Sequence, residues 1–279
     1  MSDKQRTIVI TGASDGIGAE AARQLSGAEN RIVLVGRSAS KTKAVADAVG
    51  TSDYHVADFA NLGDVRTLAD ELLGRYSRID VLANNAGGLF SGPTMTLDGF
   101  EKTFQVNHLA PFLLTNLLIE RLVENKALIV NTSSIGARIF GRLDLQDIQS
   151  LNNFRPNRAY GNAKLANILF ACGLTKRFSR DGITAIAFHP GNVATSFASD
   201  TNSYFRWVYH TVLKKFLISA ETGGQNLRRF IDPENRERWK SGVYYDERGK
   251  PSRTNRSAYD EAIIDAHWRK TNDLLDISW

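Results

Sequence analysis

The chain has 279 residues and a net charge of +5, with 42% hydrophobic and 23% charged residues. This balance is typical of a globular protein with a sizeable core. The length allows one large α/β domain or two small ones, and no linker is long enough to separate two, so a single domain over residues 1–279 is expected. The single cysteine, Cys172, excludes an internal disulfide framework and a multi-cysteine metal site, and it fits a cytoplasmic protein.

Short β-rich runs alternate with longer helical ones. The predicted strands are residues 7–10, 31–35, 55–57, 81–83, 127–131, 184–188 and 242–245. The predicted helices are residues 17–25, 41–49, 65–76, 100–123, 160–178 and 257–275. The strands are apolar without alternation, as in strands buried on both faces. Repeated strand–helix units predict an α/β fold with a doubly wound parallel sheet and helices on both of its faces.

A glycine-rich turn, Thr-Gly-Ala-Ser-Asp-Gly-Ile-Gly, occupies residues 11–18 between the first strand and the first helix. Glycines permit a tight turn and let backbone N–H groups approach a pyrophosphate, to which a helix N-terminus adds partial positive charge. This context favours nucleotide binding over a turn that is merely tight. The candidate cofactor-binding residues are Gly12, Ser14, Asp15, Gly16, Ile17 and Gly18.

Tyr160 and Lys164 are four residues apart in a predicted helix, so they share one face. The lysine ammonium would favour the ionised form of the phenol, whose pKa is ordinarily near ~10. The pair can therefore transfer a proton, although the same spacing is common on exposed helix faces.

These motifs are accompanied by Asn-Asn-Ala-Gly at residues 84–87, by Asn107 and Ser134, and by Pro-Gly-Asn-Val-Ala-Thr at residues 190–195. In this order they resemble the short-chain dehydrogenase/reductase family over residues 7–195. The resemblance implies a Rossmann-type fold and a nicotinamide cofactor. It also implies hydride transfer between the nicotinamide and a carbonyl or alcohol carbon.

The resemblance further implies a catalytic group of four residues. Tyr160 would deliver a proton to the developing alkoxide, and Lys164 would lower the pKa of the phenol and hold the nicotinamide ribose. Ser134 would stabilise the charge on the substrate oxygen, with Ser133 as its competitor for this role. Asn107 would hold a water that links Lys164 to solvent.

The end of the second predicted strand indicates which nicotinamide cofactor is used. An acidic residue there would bind the adenosine ribose and select NAD, but none is present. Arg37 offers a guanidinium to the 2′-phosphate of NADP, and Ser38 offers a further donor, so NADP(H) is favoured over NAD(H). Asp15 would weaken this phosphate site if its charge pointed inward.

Further cofactor contacts follow from the resemblance. Asp58, next to Phe59, would contact the adenine amino group. Residues 84–87 would brace the sheet and line the adenosine ribose, and the segment after the sixth strand would contact the nicotinamide amide and the phosphates. The residues of these last two segments are Asn84, Asn85, Ala86, Gly87, Pro190, Gly191, Val193 and Thr195.

Two segments are expected to select the substrate. The long connection 135–157 would contain an extra helical turn at residues 143–148, and the segment of about residues 192–218 would form a small helical lid. Aromatic residues between 197 and 216 favour a hydrophobic or ring-containing substrate, or they merely pack the lid against the domain. The connection, with residues 106–108 and 164–167, is most similar to the retinol-dehydrogenase-like branch.

The main hypothesis is an NADPH-dependent reductase of a small-molecule carbonyl, reversible as an alcohol dehydrogenase. A non-catalytic NADP(H)-binding sensor and a dehydratase or epimerase on the same fold are the alternatives. The family often pairs through the helices that here begin near residues 100 and 160, so a homo-oligomer is possible.

Other sites and partners are not expected. No apolar run approaches the ~18 residues of a membrane span, and the N-terminus leads directly into a strand, which argues against an anchor or signal peptide. The histidines are scattered without ligand partners, so no metal site is predicted. Basic residues between 228 and 240 alternate with acidic ones, which indicates a solvated surface and no nucleic-acid partner.

Overall fold

The computed structural model describes residues 5–27, 29–193 and 218–279. Within these ranges, seven parallel strands form one sheet in the order β3-β2-β1-β4-β5-β6-β7. The strands are β1 Arg6–Thr11, β2 Asn30–Gly36, β3 Tyr54–Val56, β4 Val81–Asn84, β5 Leu128–Thr132, β6 Thr184–Phe188 and β7 Tyr244–Tyr245. The strand order reverses between β1 and β4, which is the doubly wound Rossmann-type arrangement. The predicted fold class is confirmed.

The α-helices connect the strands and cover both faces of the sheet. They are α1 Gly16–Leu25, α2 Ala39–Val49, α3 Leu62–Arg75, α4 Lys102–Phe104, α5 Ala110–Leu117, α6 Ile119–Glu124, α7 Ile135–Ile139, α8 Pro156–Phe178, α9 Ala220–Ile231 and α10 Glu261–Leu275. Short 3₁₀ segments lie at Ser179–Asp181, Pro233–Arg238 and Arg256–Tyr259.

The sheet separates two hydrophobic cores. In β1, Val9 faces the core covered by α3, α5, α8 and α10, whereas Ile8 and Ile10 face the core covered by α1, α2 and α9. Because both faces of the strands are buried, apolar residues are required at every position, which explains the absence of an alternating pattern in the sequence.

The helix predicted over residues 100–123 is interrupted, so that prediction was wrong in this respect. A π-helical turn, Gln105–Leu109, separates α4 from α5, and α5 ends before α6 begins. In an α-helix the N–H of residue 111 would donate to the carbonyl oxygen of Asn107. Pro111 has no N–H, so the regular hydrogen-bond pattern fails there.

The connection after β5 also differs from the prediction. Residues 143–148 contain bends and a turn and no helix, so the helical turn predicted there was wrong. The short helix is α7, which begins directly after Ser134 because the Ser134 hydroxyl accepts the N–H of Gly136 and caps it. The proposed lid falls almost entirely on residues 194–217, outside the described residues.

Helix α9 was not predicted, because Gly223 and Gly224 lower its helix propensity. The structure gives the reason for these glycines. A Cβ atom on Gly224 would lie 2.8 Å from the backbone nitrogen of Ala21 in α1, so the two helices could not approach as closely.

The C-terminal helix α10 packs against α5 and α8. Trp268 of α10 contacts Phe112 and Phe170 at ring-centroid distances of 5.0 and 5.9 Å, and Trp279 lies 4.8 Å from Phe112. Every residue of α8 from Ala159 to Leu174 is buried. Of the helices in the described ranges, none is both long and apolar enough to cross a bilayer.

Candidate active site

The predicted site residues lie at the carboxyl edge of the sheet. The glycine-rich turn follows β1, residues 84–87 include the end of β4 and the loop after it, Ser134 follows β5, and residues 189–193 follow β6. In an open α/β sheet, ligands bind at this edge where the strand order reverses. The topology therefore brings motifs that are far apart in the sequence to one cleft.

The glycine-rich turn is packed closely against the loop after β4. Gly12 has φ +66°, and a Cβ atom there would lie 2.8 Å from the Cα atom of Ala86. A Cβ atom on Gly18 would lie 2.4 Å from the carbonyl oxygen of Gly12. Larger residues would force the β1 turn and the start of α1 apart, so both glycines are required by close packing.

Thr11, which the sequence analysis missed, ties this turn to the end of β4. Its hydroxyl accepts the N–H groups of Asn85 and Ala86, each at 3.0 Å, and Asn85 Nδ2 donates to the Thr11 carbonyl oxygen at 3.0 Å. The Asn84 amide donates to Thr115 of α5 and to Asn131 of β5. Both asparagine side chains therefore brace the fold, and a contact of this segment with the ribose stays a prediction.

Charged groups lie near the carboxyl end of β2, where the adenosine is predicted to bind. Arg37 is exposed, and none of the residues described in the structure forms an ion pair with it. Asp15 Oδ1 accepts the N–H of Gly16 at 2.7 Å, and Lys41 Nζ lies 3.6 Å from Asp15 Oδ2. The Asp15 carboxylate thus caps α1 and is partly neutralised by Lys41. Ser38 caps α2 by accepting the N–H of Lys41.

The remaining predicted cofactor residues lie around this cleft. Ser14 lies against Gly36, and Ile17 and Val193 both lie against Gly223 of α9. Asp58 is half-buried and accepts the N–H of Ala60, whereas the Phe59 side chain is buried in the core.

After β6, Gly191 has φ +93° and donates its N–H to His189, and the Pro190 carbonyl oxygen accepts from Asn226. Val193 is bridged to Ile218, and Thr195 lies outside the described residues.

Ser134, Tyr160 and Lys164 are brought together at the end of β5. Lys164 Nζ lies 5.6 Å from the centre of the Tyr160 ring. A Cβ atom on Gly136 would lie 3.2 Å from Tyr160 Cε1 and 3.4 Å from Ser134 Oγ, so the serine and the tyrosine flank the same glycine. The α7 cap thus sets Ser134 beside the phenol.

The two adjacent serines have different environments. Ser133 is buried, and its hydroxyl donates to the carbonyl oxygen of Lys164 at 2.7 Å. Ser134 is only partly buried, and its oxygen accepts the Gly136 N–H at 3.0 Å while its own O–H stays available to a ligand. Tyr244, also missed from the sequence, donates to the Ser134 carbonyl oxygen at 3.1 Å.

Lys164 is almost fully buried at 2% exposure, and its Nζ donates to the Thr132 carbonyl oxygen at 3.1 Å. Burial lowers the pKa of Lys164 to about 7, because desolvation penalises the ammonium. The Asn107 amide is also buried, and it binds both the N–H and the carbonyl oxygen of Gly88. A Cβ atom on Gly87 would lie 2.5 Å from Asn107 Oδ1 and 3.0 Å from Lys164 Nζ, so both groups line one narrow space.

A doubly wound sheet with a glycine-rich turn and a tyrosine–lysine pair at its carboxyl edge defines a dinucleotide-binding class of α/β protein. A family model described as short chain dehydrogenase matches residues 6–204. The chain belongs to the short-chain dehydrogenase family, as the sequence predicted. It is therefore an oxidoreductase that acts on CH–OH and C=O groups, with a fold that binds a nicotinamide cofactor.

Two relatives cover most of the chain. A Streptomyces protein assigned as a daunorubicin C-13 ketoreductase is 38% identical over 254 residues, which are 88% of this chain and 85% of the relative. Retinol dehydrogenase 12 of Mus musculus is 34% identical over 281 aligned positions, covering 98% of this chain and 87% of the relative. The predicted similarity to retinol dehydrogenases is confirmed.

The fold is also similar to that of a crystal structure. An uncharacterised protein from Mycobacterium paratuberculosis has a TM-score of 0.78 and 30% sequence identity, with coverage of 99% of this chain and 96% of that chain.

Proposed function

We propose that this protein is an NADPH-dependent reductase of a hydrophobic or ring-containing carbonyl compound, reversible as an alcohol dehydrogenase. The observation that carries the proposal is the meeting of Ser134, Tyr160 and Lys164 at the end of β5. The glycine-rich turn opens onto the same edge of the sheet, so a hydride donor and a proton donor would face one substrate.

The residues at this edge fit a nicotinamide dinucleotide. Gly12 and Gly18 leave no space for a side chain and bring the start of α1 close to the cleft, where helix N–H groups suit a pyrophosphate. The Lys164 ammonium has three N–H donors. Among the described residues it uses one of them, in a hydrogen bond to the Thr132 carbonyl oxygen. The remaining donors would hold the ribose hydroxyls.

The preference for NADPH rests on Arg37. Its exposed guanidinium follows β2 and is engaged by no carboxylate of the described residues, so it would meet the 2′-phosphate as a bidentate partner. Asp15, which could oppose a phosphate, has its charge directed to the α1 N-terminus and to Lys41.

The reduction needs one hydride and one proton. A bound nicotinamide would supply the hydride to the carbonyl carbon. Ser134 would donate a hydrogen bond to the carbonyl oxygen and stabilise the negative charge that develops there. Tyr160 would pass its phenolic proton to that oxygen, which completes the alcohol and leaves a phenolate. The Lys164 ammonium would stabilise the phenolate through its charge.

Two observations support an apolar substrate. Ile139 of α7 and Leu151 are exposed by 54% and 40%, although both are large apolar side chains, and both lie in the connection between Ser134 and Tyr160. The relatives named after daunorubicin and retinol also bear the names of large ring-containing molecules. An apolar pocket wall would favour such substrates over small polar carbonyls.

Turnover of NADPH with a panel of aliphatic and ring-containing ketones and aldehydes tests this function. We expect reduction of the ring-containing members, and Tyr160→Phe should lower kcat by about 10²–10⁴-fold while it keeps cofactor binding. Tyr245→Phe is the matched control, because the Tyr245 hydroxyl contacts Lys240 outside the cleft. Full turnover by Tyr160→Phe would refute the acid assignment, and NADPH binding without any turnover would favour the sensor alternative.

The packing of α8 also bears on oligomeric state. Because α8 is buried along Ala159–Leu174 within its own chain, pairing of copies through this stretch would require α10 to move. We therefore propose that the protein does not form a homo-oligomer through α8. A single domain and a cytoplasmic location stay predictions.

A further inference from the structure

A buried hydrogen-bond network adjoins Lys164 at the end of β5. Its centre is Asn167, which is 2% exposed and lies three residues after Lys164 on α8. Asn167 Nδ2 donates to the carbonyl oxygen of Thr132 at 3.1 Å and to that of Asn107 at 3.0 Å. The Thr132 oxygen is the same atom that accepts from Lys164 Nζ.

The Asn107 carbonyl group needs this donor, and the Thr132 carbonyl group shares it with Lys164 Nζ. The Asn107 oxygen has no α-helical partner because Pro111 stands four residues on. The Thr132 oxygen lies at the end of β5, where it is buried with Lys164. A buried carbonyl without a donor is costly, so the Asn167 amide stabilises the π-helical turn and the strand end together.

The orientation of the Asn167 amide is determined by His108. Carbonyl oxygens only accept, so the nitrogen of the amide must face Thr132 and Asn107, and Oδ1 must face His108. His108 Nδ1 lies 3.0 Å from Asn167 Oδ1 and therefore carries the proton and donates. A rotation of the amide would place lone pairs against lone pairs at the two carbonyl contacts and a donor against a donor at His108.

His108 is suited to this role because it stays neutral. It is fully buried among Phe104, Phe112, Phe170 and His267, with ring-centroid distances between 4.8 and 6.1 Å. This burial lowers its pKa to about 4, so the ring is uncharged at neutral pH. A charged imidazolium beside Lys164 would repel the ammonium.

We propose that Asn167 and His108 are positioning residues for the Lys164 ammonium. Asn167 shares the Thr132 carbonyl oxygen with this ammonium, and His108 determines the orientation of the Asn167 amide. The proposal rests on the proposed function, in which Lys164 holds the cofactor ribose and supports Tyr160. Without the Asn167 donor, the Thr132 oxygen would attract the ammonium more strongly and draw it away from the ribose and the phenol. His108 touches neither cofactor nor substrate and acts through Asn167.

Three variants separate this role from packing. His108→Phe keeps a ring but removes the donor, whereas His108→Asn places an amide N–H near the position of Nδ1. His267→Phe is the matched control, since His267 belongs to the same aromatic cluster and, among the described residues, it is His108 and not His267 that contacts the Asn167 oxygen. Each variant is first compared with the wild type by thermal unfolding. If His108→Phe does not fold, Asn167→Ala replaces it, because it removes the two amide donations that His108 orients.

Two measurements test the proposal: the Kd of NADPH, from the fluorescence of the bound cofactor, and kcat for alcohol oxidation across pH. We expect His108→Phe to weaken NADPH binding at least threefold, to lower kcat about tenfold or more, and to move the rise of kcat to higher pH. His108→Asn should recover most of these losses, and His267→Phe should match the wild type in both measurements.

The titratable groups that face the network are few and come from four elements. Tyr160 and Lys164 come from α8, His108 from the π-helical turn, His267 from α10 and Tyr244 from β7. Burial lowers the pKa values of both histidines and raises that of Tyr244, so none of these three titrates in the assay range. A shift in the profile therefore reports on the Tyr160–Lys164 pair.

Wild-type Kd and kcat in folded His108→Phe, or in folded Asn167→Ala, would overturn the proposal. The Kd measurement needs no turnover, so it distinguishes this failure from that of the proposed function. If the wild type binds NADPH and reduces no carbonyl, the reaction is refuted, while an unchanged Kd in His108→Phe refutes the positioning role.

Discussion

Lys164 Nζ donates to the carbonyl oxygen of Thr132 at 3.1 Å, at a point where only 2% of the lysine is exposed. The end of β5 thus holds the Lys164 ammonium, whose positive charge is disfavoured by burial. Burial lowers the pKa of Lys164 to about 7 from its ordinary value of 10.5. Stability and catalysis therefore make opposite demands on this residue.

Lys164→Met should stabilise the protein most at low pH. Because the folded pKa is the lower one, the unfolded state binds more protons between pH 7 and pH 10.5, and the wild type loses stability as the pH falls through that range. The gain in Tm on substitution should therefore be larger at pH 6 than at pH 9, while turnover is lost. A gain that is equal at both pH values would contradict the buried ammonium.

Ser133→Ala and Ser134→Ala should both destabilise the protein, but only Ser134→Ala should lower kcat. Ser134→Ala removes the O–H offered to the substrate and should lower kcat about a hundredfold, with a loss of about 1 kcal/mol from the α7 cap. Ser133→Ala removes a buried hydrogen bond to α8 and should cost about 1–2 kcal/mol with kcat nearly unchanged. Urea unfolding and steady-state kinetics on both variants would show whether the two roles are reversed.

Arg37→Ala should raise the Kd of NADPH about tenfold to a hundredfold and leave that of NADH unchanged, because only NADPH carries the 2′-phosphate. Arg180→Ala is the control, since Arg180 is exposed shortly before the amino end of β6, at the opposite edge of the sheet. An unchanged ratio of the two Kd values in Arg37→Ala would remove the basis for the NADPH preference.

Asp15→Ser keeps a cap for α1 and removes a negative charge near the expected phosphate. We expect tighter NADPH binding by a few fold at low salt, with little effect on NADH and a smaller difference at high salt. Binding titrations at two ionic strengths would check this. Weaker binding of both cofactors would instead mean that the Asp15 carboxylate helps to form the cleft.

Trp268→Ala should destabilise the protein by about 3–5 kcal/mol, because Trp268 is 1% exposed and packs against α5 and α8. The wild type should not dimerise through α8, and light scattering can measure its oligomeric state. Leu97 in the segment between β4 and α4 provides a control, since Leu97→Ala removes a side chain that is 99% exposed and should change stability little. A wild-type dimer that dissociates on an α8 substitution would contradict the proposed covering role of α10.

Local signals in the sequence predicted most of the fold. Apolar runs predicted the strands, and helical periodicity predicted most of the helices. Both signals depend only on neighbouring residues. Helix α9 escaped prediction, since Gly223 and Gly224 disfavour a helix locally and are explained only by the approach of α1. The helix break before Pro111 could have been predicted from its missing N–H. The donor to the Asn107 carbonyl oxygen, however, is the Asn167 amide, which only the fold brings there.

The sequence by itself determined the family and the reaction class, because the order and spacing of its motifs can be recognised without the structure. The family resemblance favoured Ser134 over Ser133, but only the tertiary structure gave the two hydroxyls different partners, since adjacent residues of an extended strand end point to different sides. Likewise, only the fold buries Lys164 and forms the network through Asn167 and His108, whose hydrogen bonds join residues up to 60 positions apart. Such contacts depend on which surfaces the folded chain brings together and excludes from water, and no local pattern encodes them.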